Sequence, residues 1–273
     1  MLVTRALPDE ALEPLAAAGH EVVRCTGDAP FSGDELAGLA PGFDGMVCVL
    51  TDRIDERVLE AGAAGRLRVV ANAAVGYDNV DVPAAARLGV AVCNTPGVLD
   101  DTTADLAFLL VLAAMRRASD AEADLRAGRW AGWSFTDHLG RDVHGATLGL
   151  VGFGRIGRAV ARRGAGFGMT VLHHTRHPTG VPGYVARLDQ LLGQADAVSL
   201  HVPLTGSTRG LIGRRELDLM KPTAVLVNTS RGEVVDEAAV IDALHRGAIF
   251  GAGIDVFAHE PAFDPRWATA PHA

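Results

Sequence analysis

A glycine pattern of the form G-x-G-x-x-G lies between two predicted elements of secondary structure. An apolar, β-prone run at 147–151 precedes it, a run of helical period at 156–167 follows it, and a second strand-like run occupies 169–174. The glycine pattern alone is weak evidence, because glycines also mark ordinary turns. Inside a strand–turn–helix–strand unit of about 30 residues it predicts a site for the diphosphate of a dinucleotide.

Each glycine has a separate physical role in such a turn. Gly152 permits the tight turn, Gly154 lets the backbone approach a pyrophosphate, and Gly157 allows the helix to pack closely on the strand. The helix N-terminus supplies free N–H groups and partial positive charge. We therefore expect the three glycines, together with Arg155 and Ile156 between them, to contact the cofactor.

The end of the second strand predicts which dinucleotide binds. An NAD site usually has a carboxylate there, about 20 residues after the glycines, that bonds the ribose 2′-OH. This chain has Thr175, Arg176 and His177 instead, with no carboxylate in 173–177. Since a hydroxyl and a guanidinium can receive a 2′-phosphate that a carboxylate would repel, the sequence favours NADP(H), with NADPH preferred over NADH. A solvated strand end with incidental polar residues is the alternative.

Composition excludes several classes of protein. The chain has 273 residues and a formal net charge of −8, without a cluster of Lys and Arg interleaved with aromatic residues, so a nucleic-acid partner is not expected. The longest strongly apolar run, 106–115, is half of the roughly 20 residues that cross a membrane. The N-terminus lacks the pattern of a signal peptide. We expect a cytoplasmic protein without a membrane partner.

Cysteine and histidine residues predict neither disulfides nor a metal site. Cys25, Cys48 and Cys93 are far apart and lie in or beside apolar runs, which favours buried thiols in a reducing compartment. His174 and His177 have no cysteine or carboxylate nearby in sequence to complete a metal site.

Short β-rich runs alternate with helical runs along the whole chain. This alternation predicts parallel, doubly wound sheets with helices on both faces. The turn cluster at 94–97 predicts a boundary between a first domain, 1–97, and a second domain, 98–273.

A long apolar helix is expected after this boundary, at 102–117, with Asp101 or Thr102 as its N-cap. Because the helix is apolar all round, its own domain or a partner must bury it. Trp130 and Trp133 lie in a Gly-containing stretch that follows. If exposed, they could form a lid or a subunit contact; alternatively, they cap the core beneath the long helix.

Short strings at the ends of predicted strands, where ligands bind in open α/β sheets, hold further polar residues. They read VGYDN, NTPG, HVPL, NTSRG, GIDV and HEP, beginning at residues 75, 94, 201, 228, 253 and 259. With the glycine pattern, they resemble the D-isomer-specific 2-hydroxyacid dehydrogenase family along the whole chain, most closely its glyoxylate/hydroxypyruvate reductases. The resemblance implies an α/β fold of two doubly wound parallel-sheet domains, a flavodoxin-like substrate domain and a Rossmann nucleotide-binding domain.

The resemblance also implies roles at the substrate. Arg231 would pair with the carboxylate of a small 2-oxo acid and polarise the carbonyl that receives hydride. Glu260 would orient the catalytic histidine and keep it protonated. The backbone N–H groups of Val75 and Gly76 would hold the substrate carboxylate, and Leu50 would line the pocket.

Other positions match the family's contacts along the cofactor. Outside the glycine turn and the second strand end, the expected cofactor contacts are Thr103, Pro203, Thr229, Ser230, Arg231 and Asp255. Asp255 is suited to the carboxamide of the nicotinamide. Plainer interpretations exist: Arg231 as a surface charge, Glu260 as a strand end and Asp255 as a turn cap. Even without the family, Arg, Asp and Glu at strand ends beside a nucleotide site indicate hydride transfer to a carbonyl.

The chain departs from the family's pattern at its end. Relatives carry the catalytic histidine in a P-H-x-G string, and Pro271-His272 follows Glu260 too closely to match it. We therefore expect the catalytic histidine beyond Ala273, in a chain that is C-terminally truncated and lacks the helix that relatives fold back over the first domain. The alternative is a shortened loop that brings His272 into the site.

These expectations define one activity and one alternative. The activity is NADPH-preferring reduction of glyoxylate or hydroxypyruvate to the D-2-hydroxy acid by a homodimer whose contact uses the long helix and the segment after it. The alternative is a nucleotide-binding module, or an inactive fragment without its catalytic histidine. Fold alone does not separate the two.

Overall fold

The computed structural model describes residues 1–27 and 29–273. Within them the chain forms two compact units, Met1–Leu99 and Asp100–Ala273. Assignment of the first unit to the substrate and of the second to the cofactor stays a prediction at this stage.

The first unit is a five-stranded parallel sheet with helices between consecutive strands. Its strands are β1 (Leu2–Val3), β2 (Val23–Arg24), β3 (Gly45–Cys48), β4 (Val69–Asn72) and β5 (Ala91–Cys93). Its α-helices are α1 (Asp9–Ala17), α2 (Gly33–Leu39), α3 (Glu56–Ala64) and α4 (Val82–Arg87). The strands are ordered β2-β1-β3-β4-β5, which is the flavodoxin-like order.

Two loops of this unit run from a buried strand to a capped helix. At the start of α3, Asp55 accepts the N–H of Val58 at 3.2 Å, and at the start of α4, Asp81 accepts the N–H of Ala84 at 2.9 Å. Such caps satisfy backbone donors that have no partner inside the helix. The loops between β3 and α3 and between β4 and α4 are therefore held at both ends.

The second unit is also a five-stranded parallel sheet. Its strands are β6 (Thr147–Val151), β7 (Thr170–His174), β8 (Ala197–Leu200), β9 (Val225–Asn228) and β10 (Gly251–Ile254). Its α-helices are α5 (Asp100–Arg116), α6 (Ala118–Arg126), α7 (Arg155–Gly166), α8 (Leu188–Gln194), α9 (Arg214–Leu219) and α10 (Glu237–His245). The strand order is β10-β9-β8-β6-β7.

A single parallel bridge extends this sheet beyond β7. Tyr184 pairs with His173, and the N–H of Val185 donates to the carbonyl of His173 at 2.8 Å. With this short segment counted as the outermost strand, the order becomes 3-2-1-4-5-6, the order of a Rossmann fold. The α/β, doubly wound architecture predicted for both units is thus confirmed.

The second sheet is buried on both faces. Leu148 and Leu150 belong to one core cluster, which includes residues of α5 and α7, whereas Leu200 and Leu226 belong to the cluster on α8 and α10. Parallel sheets in α/β proteins are covered in this way, and their strands are apolar throughout rather than alternating. Polar side chains are consequently concentrated at the strand ends.

Three local features differ from what the sequence alone indicated. The first strand is short and pairs only over Leu2–Val3, and shortly after it the guanidinium of Arg5 is buried against Asp52. Helix α5 begins at Asp100, so neither Asp101 nor Thr102 is its N-cap. A separate helix, α6, follows it without having been predicted.

The cysteines are more exposed than expected, and the tryptophans take one of their two expected positions. Only Cys48 is buried; Cys25 is partly exposed and Cys93 is exposed. Trp130 and Trp133 are 63% and 76% exposed, so they do not cap the core of this unit. None of the helices within residues 1–27 and 29–273 combines the length and apolar character that a membrane crossing requires.

Candidate active site

The glycine turn between β6 and α7 has the geometry that its sequence predicts. Gly152 has φ +96°, and a Cβ built on it would lie 2.3 Å from the carbonyl oxygen of His201. A Cβ on Gly157 would lie 2.4 Å from the carbonyl oxygen of Gly152. Side chains are therefore excluded at both positions, whereas a Cβ on Gly154 would meet nothing within 4 Å. The open space at Gly154 leaves room for a diphosphate beside the N-terminus of α7.

Two cofactor-contact candidates begin helix α7. Arg155 is the first helical residue, and its Nε lies 3.2 Å from Oδ2 of Asp100, the first residue of α5. Ile156 is partly buried and packs against the core cluster that α5 and α7 share. No side chain caps this helix start, since Gly154 is the N-cap, so its N–H groups are available to an anion.

The turn packs on a histidine that sequence reasoning had placed only within a string. His201 follows β8, and its Nε2 lies 2.9 Å from Oγ of Ser199. Burial lowers the pKa of His201 to about 4, so the imidazole is neutral at physiological pH. A neutral ring under the turn adds no charge to a diphosphate site.

The loop after β7 contains the residues expected at a 2′-phosphate. Oγ1 of Thr175 donates to the carbonyl of His177 at 2.6 Å, which closes a short turn. The side chains of Arg176 and His177 are exposed. The cationic group and the hydroxyl thus lie in one loop at the end of the second strand.

A buried asparagine shapes the loop that presents Arg231. Asn228 is the last residue of β9; its Oδ1 accepts the N–H of Ser230 at 3.0 Å and the Oγ–H of Ser230 at 2.7 Å. Its Nδ2 donates to the carbonyl of Arg231 at 2.8 Å. Sequence reasoning missed this role, although a polar residue ending an apolar buried strand could have signalled it. The side-chain oxygen of the adjacent Thr229 is buried without a partner among the described residues.

The Arg231 loop and the loop after β10 lie together. A Cβ on Gly232 would be 2.0 Å from the backbone carbon of Phe257, so only glycine permits this approach. The N–H of Asp255 donates to the carbonyl of Asn228 at 3.1 Å, and Oε1 of Glu260 accepts the N–H of Phe257 at 2.8 Å. Burial and the neighbouring charge of Glu260 raise the pKa of Asp255 above its ordinary value.

The other two predicted cofactor contacts lie on separate elements of the second unit. Thr103 is in the first turn of α5 and is partly exposed. Pro203 follows β8, and its carbonyl accepts the hydroxyl of Thr208 at 2.6 Å.

In the first unit, the loop of Val75 and Gly76 turns three successive carbonyls toward protein donors. The carbonyl of Ala74 accepts the N–H of Thr95 at 2.9 Å, that of Val75 accepts Nδ2 of Asn94 at 2.8 Å, and that of Gly76 accepts Nδ2 of Asn72 at 2.7 Å. Because a trans peptide directs its carbonyl and N–H oppositely, the N–H groups of residues 75–77 point away from these donors.

Leu50 lies in the other strand-to-helix loop of this unit and is 41% exposed. The loop is held by Asp52, whose Oδ2 accepts the N–H of Val49 at 3.0 Å. Oδ1 of the same fully buried carboxylate pairs with the buried guanidinium of Arg5 at 2.8 Å. The Leu50 side chain is thus presented by a loop with a rigid, charged anchor.

His272 has partners of its own in the second unit. Its Nδ1 lies 2.7 Å from Oδ2 of Asp120 on α6, and its ring stacks on Phe250. Burial alone would raise the pKa of Asp120, but hydrogen bonds from Arg117 and His272 hold it below its ordinary value. A pocket of about 230 Å³ borders this pair and contains none of the residues predicted to contact cofactor or substrate.

Comparison with known proteins identifies the class that this fold and these strand-end loops define. Residues 108–273 match the family described as D-isomer specific 2-hydroxyacid dehydrogenase, NAD binding domain. The chain belongs to this family, and it is an NAD(P)-dependent oxidoreductase. The nicotinamide cofactor that this class requires is thereby established.

Relatives extend the likeness over the whole chain. A glyoxylate reductase of Korarchaeum cryptofilum is 48% identical over 269 residues, which is 96% of this chain and 80% of the relative. A glyoxylate reductase of Thermococcus gammatolerans is 46% identical over 273 residues, 97% of this chain and 81% of the relative.

Solved structures agree. The TT0316 protein of Thermus thermophilus superposes with a TM-score of 0.90 at 44% identity, covering 100% of this chain and 86% of that one. The NADPH-dependent glyoxylate/hydroxypyruvate reductase of Sinorhizobium meliloti, solved with NADP and malonate, gives a TM-score of 0.85 at 35% identity, covering 99% of this chain and 83% of that one.

We predict that Gly152→Ala and Gly154→Ala separate folding from cofactor binding. Gly152→Ala forces a methyl group against the His201 carbonyl at positive φ, so it should destabilise the second unit by at least about 2 kcal/mol. Gly154→Ala should change stability by less than about 1 kcal/mol, yet weaken NADPH binding by obstructing the diphosphate. Urea unfolding and cofactor fluorescence titration measure the two effects. Unchanged NADPH affinity in a folded Gly154→Ala protein would contradict the assignment of the turn.

Proposed function

We propose that this protein reduces glyoxylate and hydroxypyruvate to the D-2-hydroxy acid, with NADPH as the preferred reductant. The observation that carries the proposal is the Arg231 loop: the side chain of buried Asn228 fixes it at the end of β9, in the same sheet as the glycine turn. The glyoxylate reductases that resemble the chain over nearly all its length support the choice of substrate.

The residues of the chain have distinct tasks in this reaction. A bound NADPH supplies the hydride, and the N-terminus of α7 with Gly154 has the open space and donors that its diphosphate needs. Arg231 stabilises the negative charge that develops on the substrate oxygen. Val75 and Gly76 hold the substrate carboxylate through backbone N–H groups. Asp255, beside Glu260, accepts a hydrogen bond from the cofactor carboxamide.

A histidine paired with Glu260 delivers the proton to the alkoxide in this proposal. We assign this role to a histidine other than His272, whose Nδ1 lies 2.7 Å from Oδ2 of Asp120 and whose ring stacks on Phe250. The role of Glu260 is to hold the imidazolium form of the donor by its negative charge.

Steady-state oxidation of NADPH, followed by its absorbance with glyoxylate or hydroxypyruvate, tests the activity. Arg231→Ala should lower kcat/KM by about 10²–10³-fold, because the developing charge loses its main partner. Arg209→Ala, which removes an exposed arginine of the same unit, is the matched control and should retain full activity. NADPH binding without turnover of any 2-oxo acid would favour a nucleotide-binding module, or an inactive fragment without its catalytic histidine, instead.

Cofactor preference should depend on the loop after β7. NADPH should bind more tightly than NADH by about 1.5–3 kcal/mol, the range for hydrogen bonds to a charged group. Thr175→Asp should reverse this order by charge repulsion, whereas Thr175→Ser keeps the hydroxyl that bonds the His177 carbonyl and should preserve it. Equal affinities of the parent chain for the two cofactors, titrated by fluorescence, would contradict the proposal.

We also propose a homodimer, formed through α5 and the segment that follows α6. Trp130, Trp133 and Phe135 are all more than half exposed, as is Leu109 on α5. Trp133 and Phe135 are in contact, with ring centroids 4.3 Å apart, and contiguous exposed apolar groups of this kind mark interaction surfaces. Sedimentation equilibrium at micromolar concentration should give twice the chain mass, and Trp133→Asp should shift the population to monomer. A monomeric parent chain would refute this proposal.

A further inference from the structure

Two asparagines of the first unit form a reciprocal amide pair. Nδ2 of Asn72 donates to Oδ1 of Asn79 at 3.2 Å, and Nδ2 of Asn79 donates to Oδ1 of Asn72 at 3.2 Å. Asn72, the last residue of β4, is 1% exposed, and Asn79 lies in the loop before α4 and is partly buried. The pair fixes both amide orientations, because flipping either amide would bring like groups together.

The second N–H of each amide reaches a different loop. Asn72 donates to the carbonyl of Gly76 at 2.7 Å, in the loop expected to hold the substrate carboxylate. Asn79 donates to the carbonyls of Val49 and Asp52 at 3.1 and 2.9 Å, on either side of Leu50. One hydrogen-bonded bridge therefore joins both loops expected to contact the substrate.

We propose that Asn72 and Asn79 are positioning residues that set the substrate carboxylate site and the Leu50 pocket wall as one unit. The inference rests on the proposed reduction of a 2-oxo acid. Through Asn72 the pair orients the peptide group that follows Gly76. Through Asn79 it fixes the loop of Leu50, so the distance between Leu50 and that peptide group is set. A small 2-oxo acid whose carboxylate binds this peptide group then meets the Leu50 side chain at a fixed distance.

Neither aspartate nor alanine at position 79 can make the hydrogen bonds of this bridge. An aspartate at 79 has the same shape, but it has no N–H and places negative charge beside the Val49 and Asp52 carbonyls. An alanine removes the side-chain donor of the Asp52 carbonyl and the amide partner of Asn72, although Val49 keeps the N–H of Asp52 and Asn72 keeps the carbonyl of Gly76. Buried polar groups without partners destabilise the arrangement that contains them, so the loops should separate in either variant.

Kinetics of Asn79→Asp tests the proposal against a merely structural role. We expect KM for glyoxylate to rise about tenfold, in the range of an unmade buried hydrogen bond, with kcat reduced less than threefold and KM for NADPH unchanged. The matched control is Ser32→Ala, which removes the cap of α2 in the same unit and should lower stability without changing either KM. An unchanged KM for glyoxylate in folded Asn79→Asp would overturn the proposal.

Hydrogen exchange provides a second readout that does not need turnover. In Asn79→Asp, amides of 49–52 and 75–79 should both exchange faster, whereas Ser32→Ala should affect the first turn of α2 instead. Faster exchange at 75–79 alone would overturn the coupling. If the parent chain reduces neither glyoxylate nor hydroxypyruvate, the proposed function fails, and this comparison still decides whether Asn79 couples the two loops.

Discussion

A planar peptide group cannot turn its carbonyl and its N–H in the same direction, and the two anion sites inferred for this protein depend on this constraint. In the first unit, protein donors take the carbonyls of residues 74–76, so the following N–H groups face the other way. In the second unit, the glycine turn leaves the first N–H groups of α7 without side-chain caps. Both sites are therefore built from backbone donors, which add no formal charge.

A buried asparagine at a strand end performs the same task in each unit. Asn72 ends β4 and Asn228 ends β9, and each donates its amide to a carbonyl in the loop that follows. An uncompensated amide in an apolar interior is costly, so a buried Asn requires the loop conformation that satisfies it. The strand-end asparagines thereby hold each following loop in a fixed conformation relative to its parallel sheet.

The sequence was most informative at positions where steric crowding permits only glycine. Gly152 and Gly157 were predictable because no side chain fits against the neighbouring carbonyls, and the parallel, doubly wound sheets were predictable from the alternation of strands and helices. The start of α5 was missed because Asp100 is held by Arg155, which is distant in sequence. Exposure of Cys93, Trp130 and Trp133 was not predictable, since it depends on which surfaces tertiary packing leaves open. The Asn72–Asn79 bridge escaped notice because asparagine in a turn has ordinary local explanations.

Amide chemical shifts of the isotopically labelled protein test the backbone carboxylate site most directly. With NADP present, titration with oxamate, a carboxylate analogue of the substrate, should move the amide protons of Val75 and Gly76 downfield along one saturable curve. Oxamide, the uncharged diamide of oxalic acid, should leave both signals in place. Unchanged Val75 and Gly76 signals at saturating oxamate, with shifts confined to other amides, would contradict the proposal that these N–H groups bind the substrate.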